Sequence, residues 1–145
     1  MTISISDVYR CYLRQIYNYG KMDSLTEYVA TRFVEHQKGV YPPTIEGLVT
    51  WIAALHSTFS DLKITISELV ETGDRIWSRL LMEGRQIKDF MGIEAAGKYF
   101  NIDVIEECRF HDFRIVEHWG VFDRFALLQQ INSGQKLVLP FGGVS

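Results

Sequence analysis

The chain is poor in the features that staple, anchor or disorder a protein. It has 2 cysteines in 145 residues, Cys11 and Cys108, too few and too separated to staple a secreted fold or to hold a zinc ion by themselves. Only 3 prolines interrupt it and 13% of its residues are aromatic, a composition that supports a packed core rather than disorder. There is no basic excess: 15 lysines and arginines stand against 18 acidic residues, for a net charge of −3. The electrostatic footprint of a nucleic-acid or anionic-lipid binder is therefore missing. No apolar run approaches the ~18 residues of a membrane span, and the start MTISISDVYR has neither a charged n-region nor an apolar h-region. Gly-x-Ser-x-Gly elbows, glycine-rich phosphate loops and metal-ligand spacings of His, Cys and carboxylates are also absent. The expectation is one soluble cytoplasmic domain with no cofactor, metal, nucleic acid or membrane among its partners.

What is present reads first as helix. Across residues 4–18, apolar side chains recur at Val8, Tyr12 and Ile16, and beside them at Tyr9, Leu13 and Tyr17. Steps of three and four make one helical stripe, and Tyr19-Gly20 closes it. Ser24 with Glu27 predicts a capping box that opens a second, short helix. Residues 33–36 predict a short extended piece. Beyond Pro42-Pro43, Thr44 is placed to cap a third helix with the stripe Ile45, Leu48, Val49, Ile52, Leu55 and Phe59. From Leu62 the period falls to two. Strands are predicted from 62, over 75–83, and in a long hairpin over 98–110 and 113–123, followed by a brief helix over 125–131 started by Asp123. Helices first and an antiparallel meander after them imply an α+β fold with helices on one face of the sheet. The domain is placed at 1–134. The tail 135–145, with its run Leu137-Val138-Leu139-Pro140-Phe141, is expected to dock on this subunit or another.

Several segments, in order, carry a resemblance: Glu46-Gly47-Leu48, Phe59-Ser60-Asp61-Leu62, Gly73-Asp74-Arg75-Ile76, Arg79, Phe90-Met91-Gly92-Ile93, and above all IVEHW at 115–119 with Asp123 and then LLQQI. Together, over roughly 6–131, they resemble the SnoaL-like polyketide cyclase family of the nuclear transport factor 2-like superfamily. The resemblance implies a cone-shaped α+β barrel, its curved antiparallel sheet wrapped over three N-terminal helices around an apolar cavity for a small hydrophobic ligand. It also implies a homodimer packed through the convex face and metal-free intramolecular aldol ring closure. The family's acid–base histidine and aspartate fall on Glu106 and Gly120 here. Its central Pro-Thr-Gly reads Ala95-Ala96-Gly97, and its Gly-x-His reads Gly84-Arg85-Gln86.

The strand that contains Glu106 is informative by itself. Its even side is Phe100, Ile102, Val104, Glu106, Cys108 and Phe110, an apolar face with one carboxylate in the middle. An inward Glu is costly unless paired or protonated, and burial can raise such a carboxyl by about 3–5 units, toward neutrality. Its partner depends on the turn. A three-residue loop over 111–113 pairs 110 with 114 and sets Glu106 opposite His118, whereas a two-residue turn sets 106 opposite 117. The candidate catalytic pair is thus Glu106 and His118, with a purely structural carboxylate as the rival reading. Substrate-binding candidates are Arg79, His36, Trp119, Trp77 and Tyr12. Two functions follow: cofactor-independent acid–base chemistry (cyclisation, isomerisation, hydration or dehydration) on a small hydrophobic carbonyl compound, or a binding or dimerisation module that kept the fold and lost the aspartate. The first expects Glu106, His118 and Arg79 to converge on one closed cavity. The second expects those groups to occupy one another, or core side chains to fill the space.

Overall fold

A computed structural model describes residues 2–132; the boundary at 134 and the apolar tail 135–145 lie outside the described residues. Helix α1 (Ile5–Tyr12) starts where Ser4 and Asp7 cap each other, each side chain accepting the other's backbone N–H. The stripe read over 4–18 continues beyond it with a changed pitch, because Leu13–Asn18 winds as a π-helix with Leu13 and Ile16 buried. A single 3₁₀ turn (Met22–Ser24) leads into α2 (Leu25–Tyr28). The capping box expected at Ser24 does not form: that residue ends the 3₁₀ turn at φ −91°, ψ 1° and makes no capping hydrogen bond. A cap needs extended backbone at that point.

The remaining elements are β1 (Val29–Glu35), α3 (Ile45–Thr58), β2 (Phe59–Thr72), β3 (Arg75–Gln86), β4 (Tyr99–His111), β5 (Arg114–Phe122) and α4 (Arg124–Ile131). Asp123 caps α4 as expected, accepting the Ala126 N–H at 3.0 Å. Phe59, counted in the stripe of the third helix, begins β2 instead. The fold is α+β as the sequence predicts, with one sheet in the order β1-β5-β4-β3-β2. Neighbours among β2 to β5 are antiparallel, and β1, longer than the predicted extended piece, joins β5 in parallel. Bulges in β2, where Asp61 takes φ 54°, and between Arg109 and Phe110 bend the sheet. β1 and β2 stay at opposite edges, so the cone is not closed by strand pairing. The inner face packs Ile76, Leu80, Phe100, Ile102 and Ile115 against Tyr9, Leu13, Ile16, Leu48 and Ile52 of the helices. No described helix is long and apolar enough to cross a membrane.

The β4–β5 register differs from both sequence alternatives. The turn has two residues, Asp112 and Phe113, at φ 49° and 61°, and pairs His111 with Arg114. The bulge then inserts Val116 on the β5 side, so that Phe110 pairs with Ile115 but Arg109 with Glu117. Glu106 therefore stands opposite Gly120, and Cys108 opposite His118. The extra residue returns His118 to the same inward side as Glu106.

Candidate active site

Two rows of paired residues cross the inner face. One joins Ser78, Glu106 and Gly120 over β3, β4 and β5; the next joins Cys108, His118 and Glu35 over β4, β5 and β1. Glycine at 120 determines what happens between the rows. A Cβ there would lie 2.6 Å from Gln37 Oε1 and 2.8 Å from His118 Cε1. The imidazole thus leans over the bare backbone of Gly120 and reaches Glu106 on the diagonal, Nε2 lying 2.7 Å from Oε2. Its other nitrogen, Nδ1, lies 2.6 Å from Glu35 Oε1, which also accepts the Gln37 backbone N–H at 2.9 Å. From the helical layer the Tyr9 hydroxyl donates to Glu106 Oε1 and lies 2.6 Å from Ser78 Oγ. The result is a continuous chain: Ser78, Tyr9, Glu106, His118, Glu35.

This chain sets the charges. Burial by itself would push the Glu106 carboxyl up; the charge of His118 and hydrogen bonds from His118 and Tyr9 outweigh it and hold the group below its ordinary value. The neutral-range carboxyl expected from the sequence is therefore corrected: a lone buried acid would rise, but this one has two donors. Burial alone would push His118 down; the charge of Glu106, its hydrogen bond and then Glu35 raise it to about 10. The Tyr9 phenol is pushed up by burial first and by Glu106 next.

The linked stability follows by sign. His118 rises from 6.5 to about 10 on folding, so its contribution is complete below pH 6.5 and disappears as pH climbs toward 10. Glu106 sits below 4.5, so its contribution is present above that pH and lost as pH falls through the depressed value. Urea denaturation midpoints are expected to be higher at pH 5.5 than at pH 9, with a flatter pH dependence in the Glu106→Gln variant. Equal midpoints at the two pH values in the native chain would contradict the ion pair.

Glu106, His118, Glu35 and Gln37 line one end of a pocket whose other walls are apolar, among them Leu13, Tyr17, Trp51, Phe59, Leu80, Phe90, Val104 and Phe122. The free space is about 610 Å³ counted out to its mouth, of which about 40 Å³ is open to the centres of water molecules. An interior of that size has room for no more than a few waters, so a larger ligand must also occupy the open mouth or displace lining side chains. Donor atoms of Glu106, Cys108 and His118 lie within 4.8 Å of one another, a grouping that sequence spacing did not reveal. Both His118 nitrogens already face carboxylates, however, and burial followed by Glu106 and Glu35 pushes the Cys108 thiol well up, away from the thiolate a metal would need.

The structure brings Glu106 and His118 together, bonded to each other at the pocket wall, and leaves the other candidates elsewhere, so the expected convergence of Arg79 on the same cavity is not met. Arg79 lies across the sheet, 3.6 Å from Glu68. Trp77, Trp119 and Arg79 occupy alternate, outward positions of β3 and β5. His36 stacks on Trp119 at 4.4 Å and sits 2.8 Å from Glu117 rather than at the pocket mouth. Tyr12 is buried behind Tyr17, their rings edge to face at 5.7 Å; Tyr17 is the one that lines the pocket. Sequence reasoning missed Glu35, Gln37, Tyr9 as a donor, and Ser78. Glu35 carried a usable signal, since it falls in phase with buried Phe33 on β1.

A model of the family described as SnoaL-like polyketide cyclase matches residues 6–131. Aklanonic acid methyl ester cyclase DnrD of Streptomyces peucetius is 26% identical over 110 residues, covering 72% of this chain and 74% of that protein. Among solved structures, TsrD of Streptomyces laurentii superposes with a TM-score of 0.79 at 28% identity, covering 88% of this chain and 93% of its own. IdmH of Streptomyces antibioticus gives 0.79 at 29%, covering 88% and 98%.

Proposed function

Because the chain belongs to the SnoaL-like polyketide cyclase family, we propose that it performs cofactor-independent acid–base chemistry on a small hydrophobic carbonyl compound. The observation that carries this reading is the division of the pocket: one end holds the Glu106 carboxyl and the His118 imidazole 2.7 Å apart, and the rest is apolar. Glu106 takes a proton from a carbon next to the carbonyl, and the Nε2–H of His118 serves the oxygen that becomes an enolate. As that proton turns from Glu106 to the substrate, the carboxylate loses a donor and becomes the stronger base. The enolate carbon can then close a ring on a second carbonyl, or be reprotonated elsewhere. The imidazole over Gly120 takes up the room of the family's aspartate, and Glu106 stands where the histidine would be. The dyad keeps an acid and a base with their positions exchanged.

The test starts from the substrate named for DnrD. The chain is incubated in deuterium oxide with aklanonic acid methyl ester and with smaller 1,3-dicarbonyl compounds, and NMR follows exchange at the activated carbon and ring closure. Enzyme-dependent exchange or cyclisation of at least one compound is expected. Absence of both over the whole panel, with binding intact, would instead favour a module that only binds.

The outer face supports a homodimer. Val70, Trp77, Ile105 and Val121 are exposed, and with Trp119 they line adjoining shallow hollows on the side of the sheet away from the helices. A contiguous apolar surface of this kind is normally covered, and a second copy offers the matching one. Light scattering is expected to give twice the chain mass for the native protein and the single mass for the double variant Trp77→Glu, Val121→Lys. A native monomer would refute the dimer.

A further inference from the structure

The acid–base reading leaves one carboxyl group of the pocket without a role. Glu35 closes β1, and its side chain is almost wholly buried. One oxygen is held by His118 Nδ1 and the Gln37 N–H; the other, Oε2, is buried with no hydrogen-bond partner among the described residues. A buried carboxylate so incompletely satisfied is costly, and stability alone does not account for it.

The geometry at His118 supplies the account. Each ring nitrogen lies within hydrogen-bond distance of a different carboxylate, 2.6 Å on one side and 2.7 Å on the other. A neutral imidazole has one N–H and one lone pair, so it can satisfy only one of the two. An imidazolium satisfies both. We propose that Glu35 is a positioning residue: by accepting the Nδ1–H of His118 it fixes the ring with its Nε2–H directed at Glu106 and the cavity, making His118 the acid and Glu106 the base.

The inference rests on the acid–base reading above, and it adds the device that separates the two roles. With Glu106 alone as partner, the ring could rotate or lose its second proton, and acid and base would be interchangeable. Pinned from behind, only one proton of the ring can be given to a substrate. The ionisable groups around His118 are Glu35 on β1, Glu106 and Cys108 on β4, Tyr9 on α1 and Tyr17 on the π-helical segment. Of these, only the two carboxylates raise the charged form of the ring.

The experiment reads the ring directly and needs no substrate. In ¹⁵N NMR of the whole chain, assigned against a His118→Gln variant, His118 is expected to carry protons on both nitrogens at pH 7. In Glu35→Gln its titration is expected to fall by about 1–3 pH units, and Glu35→Asp is expected to restore part of that. A singly protonated His118 in the native chain overturns the proposal and can be observed even if Glu35→Gln fails to fold. An unchanged titration in the folded Glu35→Gln variant also overturns it. Where a substrate is in hand, kcat is expected to fall about 10–100-fold, as when a supporting partner of a site histidine is lost, with the His118 limb of the pH–rate profile moved to lower pH. A shifted titration with kcat and profile unaltered would reduce Glu35 to a structural group. Turnover indifferent to Glu106→Gln would instead remove the reading beneath it, which keeps the two failures apart.

Discussion

Glu106→Gln lowers turnover on any substrate the pocket converts by about 10²–10⁴-fold, the range that a positioned general base supplies. The exchange is nearly isosteric. The amide oxygen still accepts the Tyr9 hydroxyl, so the connection between α1 and β4 is kept. What disappears is the negative charge 2.7 Å from His118 Nε2, and with it both the proton acceptor and the main influence that keeps the imidazole charged. Circular dichroism of the variant should match the native chain, and the loss should lie in kcat more than in KM. Undiminished turnover in a folded Glu106→Gln variant would end the acid–base reading and leave the carboxylate a structural role.

The second large effect is expected at a residue with no side chain. Gly120→Asp reinstates the family's residue, and its Cβ would come within 2.6 Å of Gln37 Oε1 and 2.8 Å of His118 Cε1. Both neighbours must move. Overpacking of this kind costs about 1–3 kcal/mol, and the new carboxylate adds repulsion from Glu35 and Glu106. The expected result is a lower denaturation midpoint, loss of the His118–Glu106 contact in a crystal structure, and turnover reduced at least as far as in Gly120→Ala. The alanine variant separates size from charge, because it brings the same Cβ without the carboxylate. If aspartate were accommodated with the dyad intact and activity preserved, the idea that His118 depends on the bare backbone would be wrong.

Much of the site was legible in the sequence because β4 is a clean alternation. Phe100, Ile102, Glu106, Cys108 and Phe110 share one side in the structure as in the pattern, and an in-phase carboxylate is visible without coordinates. His118 was paired with Glu106 correctly, but through a register that does not occur. The bulge at Arg109 and Phe110 has no one-residue signature, and the diagonal contact depends on the space above Gly120, which no local pattern encodes. Outward positions were the weak point. Trp77, Trp119 and Arg79 are the residue types that pockets use, but the pleat sends them to the other face, and only the register of each strand says so. Glu35, in phase with Phe33, was recognisable as inward but not as a partner of His118. Its partner arrives from β5, far along the chain, through a parallel pairing that the antiparallel reading of the meander did not include.

The bulge near the tip of the β4–β5 hairpin reaches further than its location suggests. Were Val116 instead paired with Arg109 in a regular ladder, with every proposed functional side chain retained, His118 would stand opposite Glu107 on the outer face and Trp119 opposite Glu106, turned toward the greasy interior. The chemistry of the pocket thus depends on which residue the ladder passes over as well as on the identities of its side chains.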